Sequence, residues 1–199
     1  MSLNITLADY GVGNLYSIKR SLERCGANVE VVTDMSRLLD AECIVLPGVG
    51  AFDRTVRDIL PYREQLREKL ESGTPALGIC IGMQILHESS EEGSSPGIGL
   101  LKGQVVRLQG RTIPHMGWNY VRTEDPVFDG ISDRHFYFAH SYRGSDLSSS
   151  VATTDYEGTD IPVMFRRSYT YATHFHPEKS STSGLAFLKN FIDFAEGCL

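Results

Sequence analysis

Thr74-Pro75-Ala76-Leu77-Gly78-Ile79-Cys80-Ile81-Gly82-Met83-Gln84 reads as strand, tight turn and helix: an apolar run stops at glycines and a cysteine before helix-like sequence begins. A cysteine framed as Gly-x-Cys-x-Gly stands where the nucleophile of an elbow stands. The flanking glycines allow a sharp turn, and the side chain projects from a strained corner. At a helix N-terminus, unsatisfied N–H groups and the positive end of the dipole favour thiolate over thiol, pulling the pKa below its free value of roughly 8.5. The same N–H groups can hold an oxyanion. A small buried hydrophobe flanked by packing glycines fits this stretch as well. A nucleophile needs a base, so the rest of the chain decides between the two.

Upstream, residues 3–8 alternate as a short strand, and Asp9-Tyr10-Gly11-Val12-Gly13-Asn14 turns into a segment, 15–25, with Leu15, Ile18 and Leu22 at helical spacing. The two glycines lack the third of a dinucleotide-binding loop. Asn28–Val32 is expected to be a strand, Met35–Leu39 a short helix and Glu42–Leu46 a strand ending in Pro47-Gly48-Val49-Gly50-Ala51-Phe52. Glycines there let backbone N–H groups approach a ligand, so Pro47–Gly50 is the candidate to complete an oxyanion hole begun at Ile81. A helix is expected over Thr55–Leu70, interrupted at Pro61, and another after Cys80 to about His87. Strands alternating with helices predict an α/β fold, a three-layer sandwich with a central, mostly parallel or mixed sheet flanked by helices. Ligands of such sheets gather at the carboxyl ends of the strands, where both glycine loops sit.

Past Ser89 the pattern changes. Glu91–Gly99 is a polar loop, followed by short β-like pieces at Gln104–Leu108, Trp118–Val121, Phe136–Phe138, Ser150–Thr154, Ile161–Phe165 and Tyr169–Phe175, an antiparallel or mixed half. Ser181–Phe194 closes as an amphipathic helix with Leu185, Leu188, Phe191 and Ile192 on its apolar side.

The 199 residues suit one domain, 1–199. A net charge of −6 without a long basic run argues against nucleic acid as the partner. Four cysteines (Cys25, Cys43, Cys80, Cys198) lack C-x-x-C spacing, which fits neither a zinc site nor a disulfide framework and predicts a cytoplasmic protein. No apolar run approaches the roughly 18 residues of a membrane span, and no export signal opens the chain.

The base is found in Ala172-Thr173-His174-Phe175-His176-Pro177-Glu178-Lys179-Ser180. In an extended chain His174, His176 and Glu178 share one face while Phe175 enters the core. A His-x-Glu pair supplies a base and a carboxylate to orient it, giving Cys80 as nucleophile, His176 as base and then acid, and Glu178 as orienter. A metal on a His-x-His-x-Glu face would want further ligands that the chain does not offer, so none is expected.

Pro47-Gly48-Val49-Gly50, Gly78-Ile79-Cys80-Ile81-Gly82-Met83-Gln84 and His176-Pro177-Glu178-Lys179-Ser180 resemble the signature segments of class I (triad) glutamine amidotransferases. Within that class, Asp9–Leu15, His115-Met116-Gly117-Trp118-Asn119 and Phe138-Ala139-His140-Ser141-Tyr142 are similar to the glutaminase subunits that serve a cyclase in histidine biosynthesis. The resemblance runs end to end and implies a flavodoxin-like core. It also implies hydrolysis of L-glutamine to glutamate and ammonia, with Val49, Gly50 and Ile81 at the oxyanion hole and Gly50, Gln84, Ser141 and Tyr142 on the substrate. Neither metal nor organic cofactor is implied. The implied partner is a cyclase subunit of (β/α)8 barrel type, in a heterodimer. It takes the channelled ammonia and forms imidazole glycerol phosphate and an aminoimidazole carboxamide ribotide.

Asn14, Trp118, Asn119, Tyr137 and Lys179 are the interface candidates. An oxyanion donor near Val49 that is misaligned until the partner reorganises its loop would make the isolated chain a poor glutaminase. His174 departs from the resemblance, since the family commonly has Gln there. Only His176 has the spacing to Pro177 and Glu178, so the base is assigned to it. The alternatives are a glutaminase subunit of another synthase, such as that of the pyridoxal phosphate pathway, and a non-catalytic regulatory module of the same fold.

Overall fold

The computed structural model describes residues 2–11 and 14–199; Val12 and Gly13, within the turn expected after residue 8, lie outside them. The first half runs β1 (Asn4–Ala8), α1 (Leu15–Arg24), β2 (Asn28–Val32), β3 (Cys43–Leu46), α2 (Phe52–Arg57), α3 (Arg63–Glu71), β4 (Ala76–Ile79) and α4 (Ile81–Ile85). The second half runs β5 (Ser89–Ser90), β6 (Gln104–Arg107), β7 (His115–Tyr120), β8 (Arg122–Thr123), β9 (His135–His140), β10 (Tyr142–Gly144), β11 (Ser150–Tyr156), β12 (Thr159–Arg167), β13 (Thr170–Thr173) and α5 (Ser181–Glu196).

An eight-stranded sheet carries the order β2-β1-β3-β4-β13-β12-β11-β8. Strands β2 to β13 of that order are parallel, and β12, β11 and β8 continue it antiparallel. Two small sheets lie off it, β10-β6-β5 and the antiparallel pair β7-β9. The expected mixed α/β architecture is therefore observed.

Alternation along the strands divides the core between the two faces of the sheet. Leu7, Val45, Leu77 and Tyr171 point into the cluster made by Ile18 and Leu22 of α1, Phe187 and Phe191 of α5, and Phe136 and Phe138 of β9. Ala8, Ile44, Leu46 and Ala172 point the other way, onto Phe52 of α2, Leu66 and Leu70 of α3, and Ile81 and Ile85 of α4. Every residue of β3 and β4 is buried, which is why these strands read as continuous apolar runs rather than alternating ones.

Two expected elements differ. The helix expected over 55–70 begins earlier, as α2 at Phe52, while its expected interruption at Pro61 is observed as a 3-10 turn, Leu60–Tyr62, ahead of α3. Pro61 has no N–H to continue the ladder. The earlier start follows from a distant cap: Glu92 accepts the Phe52 N–H at 2.9 Å, and Asp53 accepts the N–H groups of Ser94 and Ser95 at 3.1 and 2.9 Å. The strand expected over 169–175 ends at Thr173, and Pro177–Lys179 is a 3-10 turn. His174, His176 and Glu178 are therefore not three steps along one strand face.

Candidate active site

Three adjacent parallel strands deliver the three segments singled out in the sequence. β3 ends at Pro47–Gly50, β4 at Cys80, and β13 leads into His174–Glu178, all at carboxyl ends of neighbours in the sheet. Cys80 sits between β4 and α4 with φ 52° and ψ −102°, a left-handed conformation that costs a non-glycine residue of the order of 1–3 kcal/mol. The strained corner expected of an elbow is thus present. The glycines beside it also serve packing: a Cβ on Gly82 would lie 1.8 Å from the Leu46 carbonyl oxygen, and one on Gly78 would lie 2.9 Å from the Gly82 backbone. Both readings of the glycines hold, since α4 can reach the sheet closely only without those methyl groups.

His176 and Glu178 meet across the 3-10 turn, with Nδ1 2.9 Å from Oε1 and both side chains almost wholly buried. The turn is laced onto β9: His176 N–H donates to the Tyr137 carbonyl at 2.9 Å, Tyr137 N–H donates to Ser180 Oγ at 2.9 Å, and that hydroxyl donates to the His176 carbonyl at 2.6 Å. Burial alone would lower the imidazole's pKa. Interactions with Cys80 and Glu178 outweigh it and raise the pKa to about 9. Nε2 has no partner of full hydrogen-bond geometry among the described residues, yet Cys80 lies close enough to be the largest upward influence on the ring.

Val49, Gly50, Cys80, Gln84, Ser141 and Tyr142 line one cleft of about 270 Å³, joined by Glu92, Met116 and His140. Gln84 Oε1 is buried without a partner among the described residues. Ile81 N–H, expected to hold an oxyanion, donates to the Gly48 carbonyl at 3.4 Å. Gly48 itself has φ 131°, open in practice only to glycine. The same loop is held from its other end by the buried Tyr10 hydroxyl, which donates to the Pro47 carbonyl.

His174 is not among the residues lining the cleft that holds Cys80. Its ring is fully buried, stacks on His140 at 4.3 Å, and has both nitrogens unpartnered among the described residues. Burial and the neighbouring histidines hold its pKa well below the ordinary value, so it is neutral. Of the interface candidates, Trp118 is 54% exposed and packs edge-on to Tyr137 at 6.2 Å, with Lys179 Nζ 5.9 Å from the Tyr137 ring centroid. Asn14 is exposed at the start of α1, and Asn119 is half-buried on β7. Glu92 and His140 were not picked out by sequence reasoning. Glu92 lies in a polar loop with no pattern of its own, and His140 lies inside a quoted segment whose strand pairing alone turns it toward the cleft.

The profile of the family described as Glutamine amidotransferase class-I matches residues 6–194, and the chain belongs to that family. Among its relatives, imidazole glycerol phosphate synthase subunit HisH of a Synechococcus strain is 41% identical over 208 residues, covering 99% of this chain and 95% of the relative. The subunit of the same name from Halobacterium salinarum is 42% identical over 204 residues, covering 96% and 93%. A crystal structure described as a glutamine amidotransferase superposes with a TM-score of 0.73 at 21% identity, covering 96% of this chain and 98% of the other, and supports the fold.

Proposed function

We infer that the chain is the glutaminase subunit of an imidazole glycerol phosphate synthase, hydrolysing L-glutamine to glutamate and ammonia in histidine biosynthesis. The observation that carries the chemistry is the meeting of Cys80, His176 and Glu178 at the ends of adjacent strands, beside a cleft that also holds Gly50, Gln84, Ser141 and Tyr142.

In this reading His176 takes the thiol proton as Cys80 Sγ attacks the side-chain amide carbon of glutamine, and the carbonyl oxygen takes the charge toward the N–H groups of Gly50 and Ile81, with Val49 beside them. His176 gives its proton to the departing ammonia, leaving a glutamyl thioester. The imidazole, now neutral, takes a proton from water as the oxygen attacks the thioester, and glutamate leaves as the thiol is restored. Glu178 keeps the ring oriented and favours its charged form. Gln84, Ser141 and Tyr142 hold the amino-acid part of the substrate, and the Glu92 carboxylate at the cleft wall complements its ammonium.

The partner is the (β/α)8 cyclase subunit, in a heterodimer, and Asn14, Trp118, Asn119, Tyr137 and Lys179 face it. Support comes from β7, which presents Met116, Trp118 and Tyr120 in an exposed row at alternating positions. Ammonia is mostly ammonium in neutral water, so a closed passage to the cyclase favours the synthase reaction. The Gly48 carbonyl on the Ile81 N–H supports a resting state whose oxyanion site is taken by the chain itself. The chain acts as one domain over residues 1–199 and works in the cytoplasm; no helix among the described residues is long and apolar enough to cross a membrane.

The test is ammonia release from glutamine, with and without the liganded cyclase subunit, before and after alkylation. Release is expected to be slow for the free chain, faster in the liganded complex and abolished by alkylation of Cys80. Turnover indifferent to the liganded partner would overturn the resting-state proposal, and turnover that survives complete Cys80 alkylation would overturn the nucleophile.

A further inference from the structure

A chain of hydrogen bonds outside the Cys80-His176-Glu178 group runs from the surface of β7 to the substrate side of the cleft. Asn119 Nδ2 donates to the Asp155 carbonyl at 2.7 Å and lies 3.3 Å from His115 Nε2, while its Oδ1 accepts the Tyr120 N–H at 2.8 Å. His115 Nδ1 lies 3.1 Å from His140 Nε2, and His140 Nδ1 lies 2.7 Å from the Tyr142 carbonyl. The pairing of β7 with β9 sets His115 directly opposite His140.

The protons in this chain have one arrangement. A carbonyl has lone pairs only, so His140 Nδ1 must carry the hydrogen that meets Tyr142. A neutral imidazole then offers Nε2 as acceptor, which makes His115 Nδ1 the donor and leaves His115 Nε2 an acceptor. Only a donor completes that end, and the Asn119 amide is fixed as one because its two faces are already assigned by the Asp155 carbonyl and the Tyr120 N–H. Burial lowers His115 to about 4 and His140 to about 3, so both rings stay uncharged at neutral pH. His115 stacks on Phe138 at 4.6 Å and His140 on His174 at 4.3 Å, which holds the ring planes.

We propose that His140 and His115 are positioning residues for glutamine: a single-tautomer chain running Asn119 to His115 to His140 to Tyr142 fixes the Ser141–Tyr142 backbone in the cleft. Its outer end is a side chain on the strand that presents the exposed aromatic row. The proposal rests on Ser141 and Tyr142 contacting glutamine. It makes a specific demand on Asn119→Asp. The carboxylate turns an acceptor toward His115 Nε2, so the proton moves to that nitrogen and Nδ1 becomes an acceptor. His140 must then donate from Nε2, and a neutral His140 has no proton left for the Tyr142 carbonyl.

The experiment uses the full-length chain. Histidine ¹⁵N NMR is expected to show His115 and His140 as neutral Nδ1–H tautomers, and Asn119→Asp to convert both to Nε2–H. Calorimetric titration of glutamine into the Cys80→Ala chain, with and without Asn119→Asp, should show the dissociation constant rising about fivefold or more, the equivalent of one net hydrogen bond. Melting temperatures of the paired variants check that both are folded, and Asn119→Ala, which removes the donor without reversing the chain, should leave the His140 tautomer in place. Wild-type His140 found as the Nε2–H form, or a glutamine affinity unmoved by Asn119→Asp, would overturn the proposal. Absence of glutamine turnover by the wild-type complex would instead overturn the glutaminase reading on which it rests.

Discussion

Glu178→Gln probes the step on which the acylation chemistry turns, the charge state of His176. The wild-type carboxylate lies 2.9 Å from Nδ1, and the ring and carboxylate are only 1% and 6% exposed. Moving the imidazole from 6.5 to about 9 corresponds to roughly 3 kcal/mol net in favour of the imidazolium, supplied by Cys80 and then Glu178 against the opposing effect of burial. An amide at position 178 keeps an acceptor oxygen but no charge, so a charge-assisted bond becomes a neutral one at a loss of about 2 kcal/mol. That loss brings the imidazole down to about 7.5, and at pH 8 the charged fraction falls from about nine-tenths to about one-quarter.

If the imidazolium donates the proton to the leaving ammonia, as proposed, kcat/KM for glutamine should lose its alkaline limb near 9 and acquire one more than a unit lower. At pH 8 the fall should be about tenfold or more, because the ring also loses orientation. Glutamate release by the complex with liganded cyclase, measured from pH 6 to 10, gives both quantities. Stability carries the same signature with a defined sign. A base raised from 6.5 to about 9 contributes its full stabilisation below 6.5 and loses it as pH climbs through 9. Urea midpoints of the wild type should fall over that window and those of Glu178→Gln should fall less. An alkaline limb that stays near 9 in the variant, with an unchanged rate at pH 8, would show that Glu178 does not set the charge of His176.

Gly82→Ala should destabilise by about 3 kcal/mol, lowering the melting temperature by roughly 10 °C, because its Cβ would meet the Leu46 carbonyl oxygen at 1.8 Å and backbone must move. Thermal unfolding that matched wild type would mean the elbow has slack the geometry does not show. Trp118→Ala should weaken binding to the cyclase subunit about tenfold or more without changing the melting temperature, since the ring is 54% exposed and its removal leaves no cavity in the core; unchanged affinity by titration calorimetry would remove Trp118 from the interface. His174→Gln should keep glutaminase activity within about threefold, as both ring nitrogens are unpartnered among the described residues and His140, though it loses its stack, stays held by His115 and the Tyr142 carbonyl. Loss of activity there, with His176→Ala still active, would place the base at 174.

The first half of the fold was legible because its signals are local. β1 alternates, β3 and β4 are short apolar runs bounded by turn residues, and Ile18 and Leu22 of α1 mark one buried helical face. The misread boundaries all depend on contacts distant in sequence. No pattern in Ala51–Asp53 announces that Glu92 will cap α2. Nothing in Thr173–Glu178 announces that the Tyr137 carbonyl will take the His176 N–H and end the sheet two residues early. The same division separates Cys80 and His176-x-Glu178, found from residue type and spacing, from Glu92 and His140, which enter the cleft only through the packing of a polar loop on α2 and the pairing of β9 with β7.

That dependence explains the placement of the β7-β9 pair, which stands off the main sheet yet touches each part of the candidate site. The Tyr137 carbonyl anchors the His176 turn, the Ala139 carbonyl lies 3.9 Å from Cys80 Sγ, and His140 holds the Tyr142 carbonyl from within the cleft wall. On its other strand the pair exposes Met116, Trp118 and Tyr120. A protein seated on that row would press on an element whose inner edge anchors the His176 turn, flanks Cys80 and holds the Tyr142 carbonyl, without itself reaching Cys80. Paired strands with satisfied backbone bonds transmit such a displacement as a unit, whereas a loop would absorb it. If turnover responds to the partner as proposed, a wall built from a separate two-stranded sheet serves better than one built from the central sheet, whose strands are locked by helices on both faces.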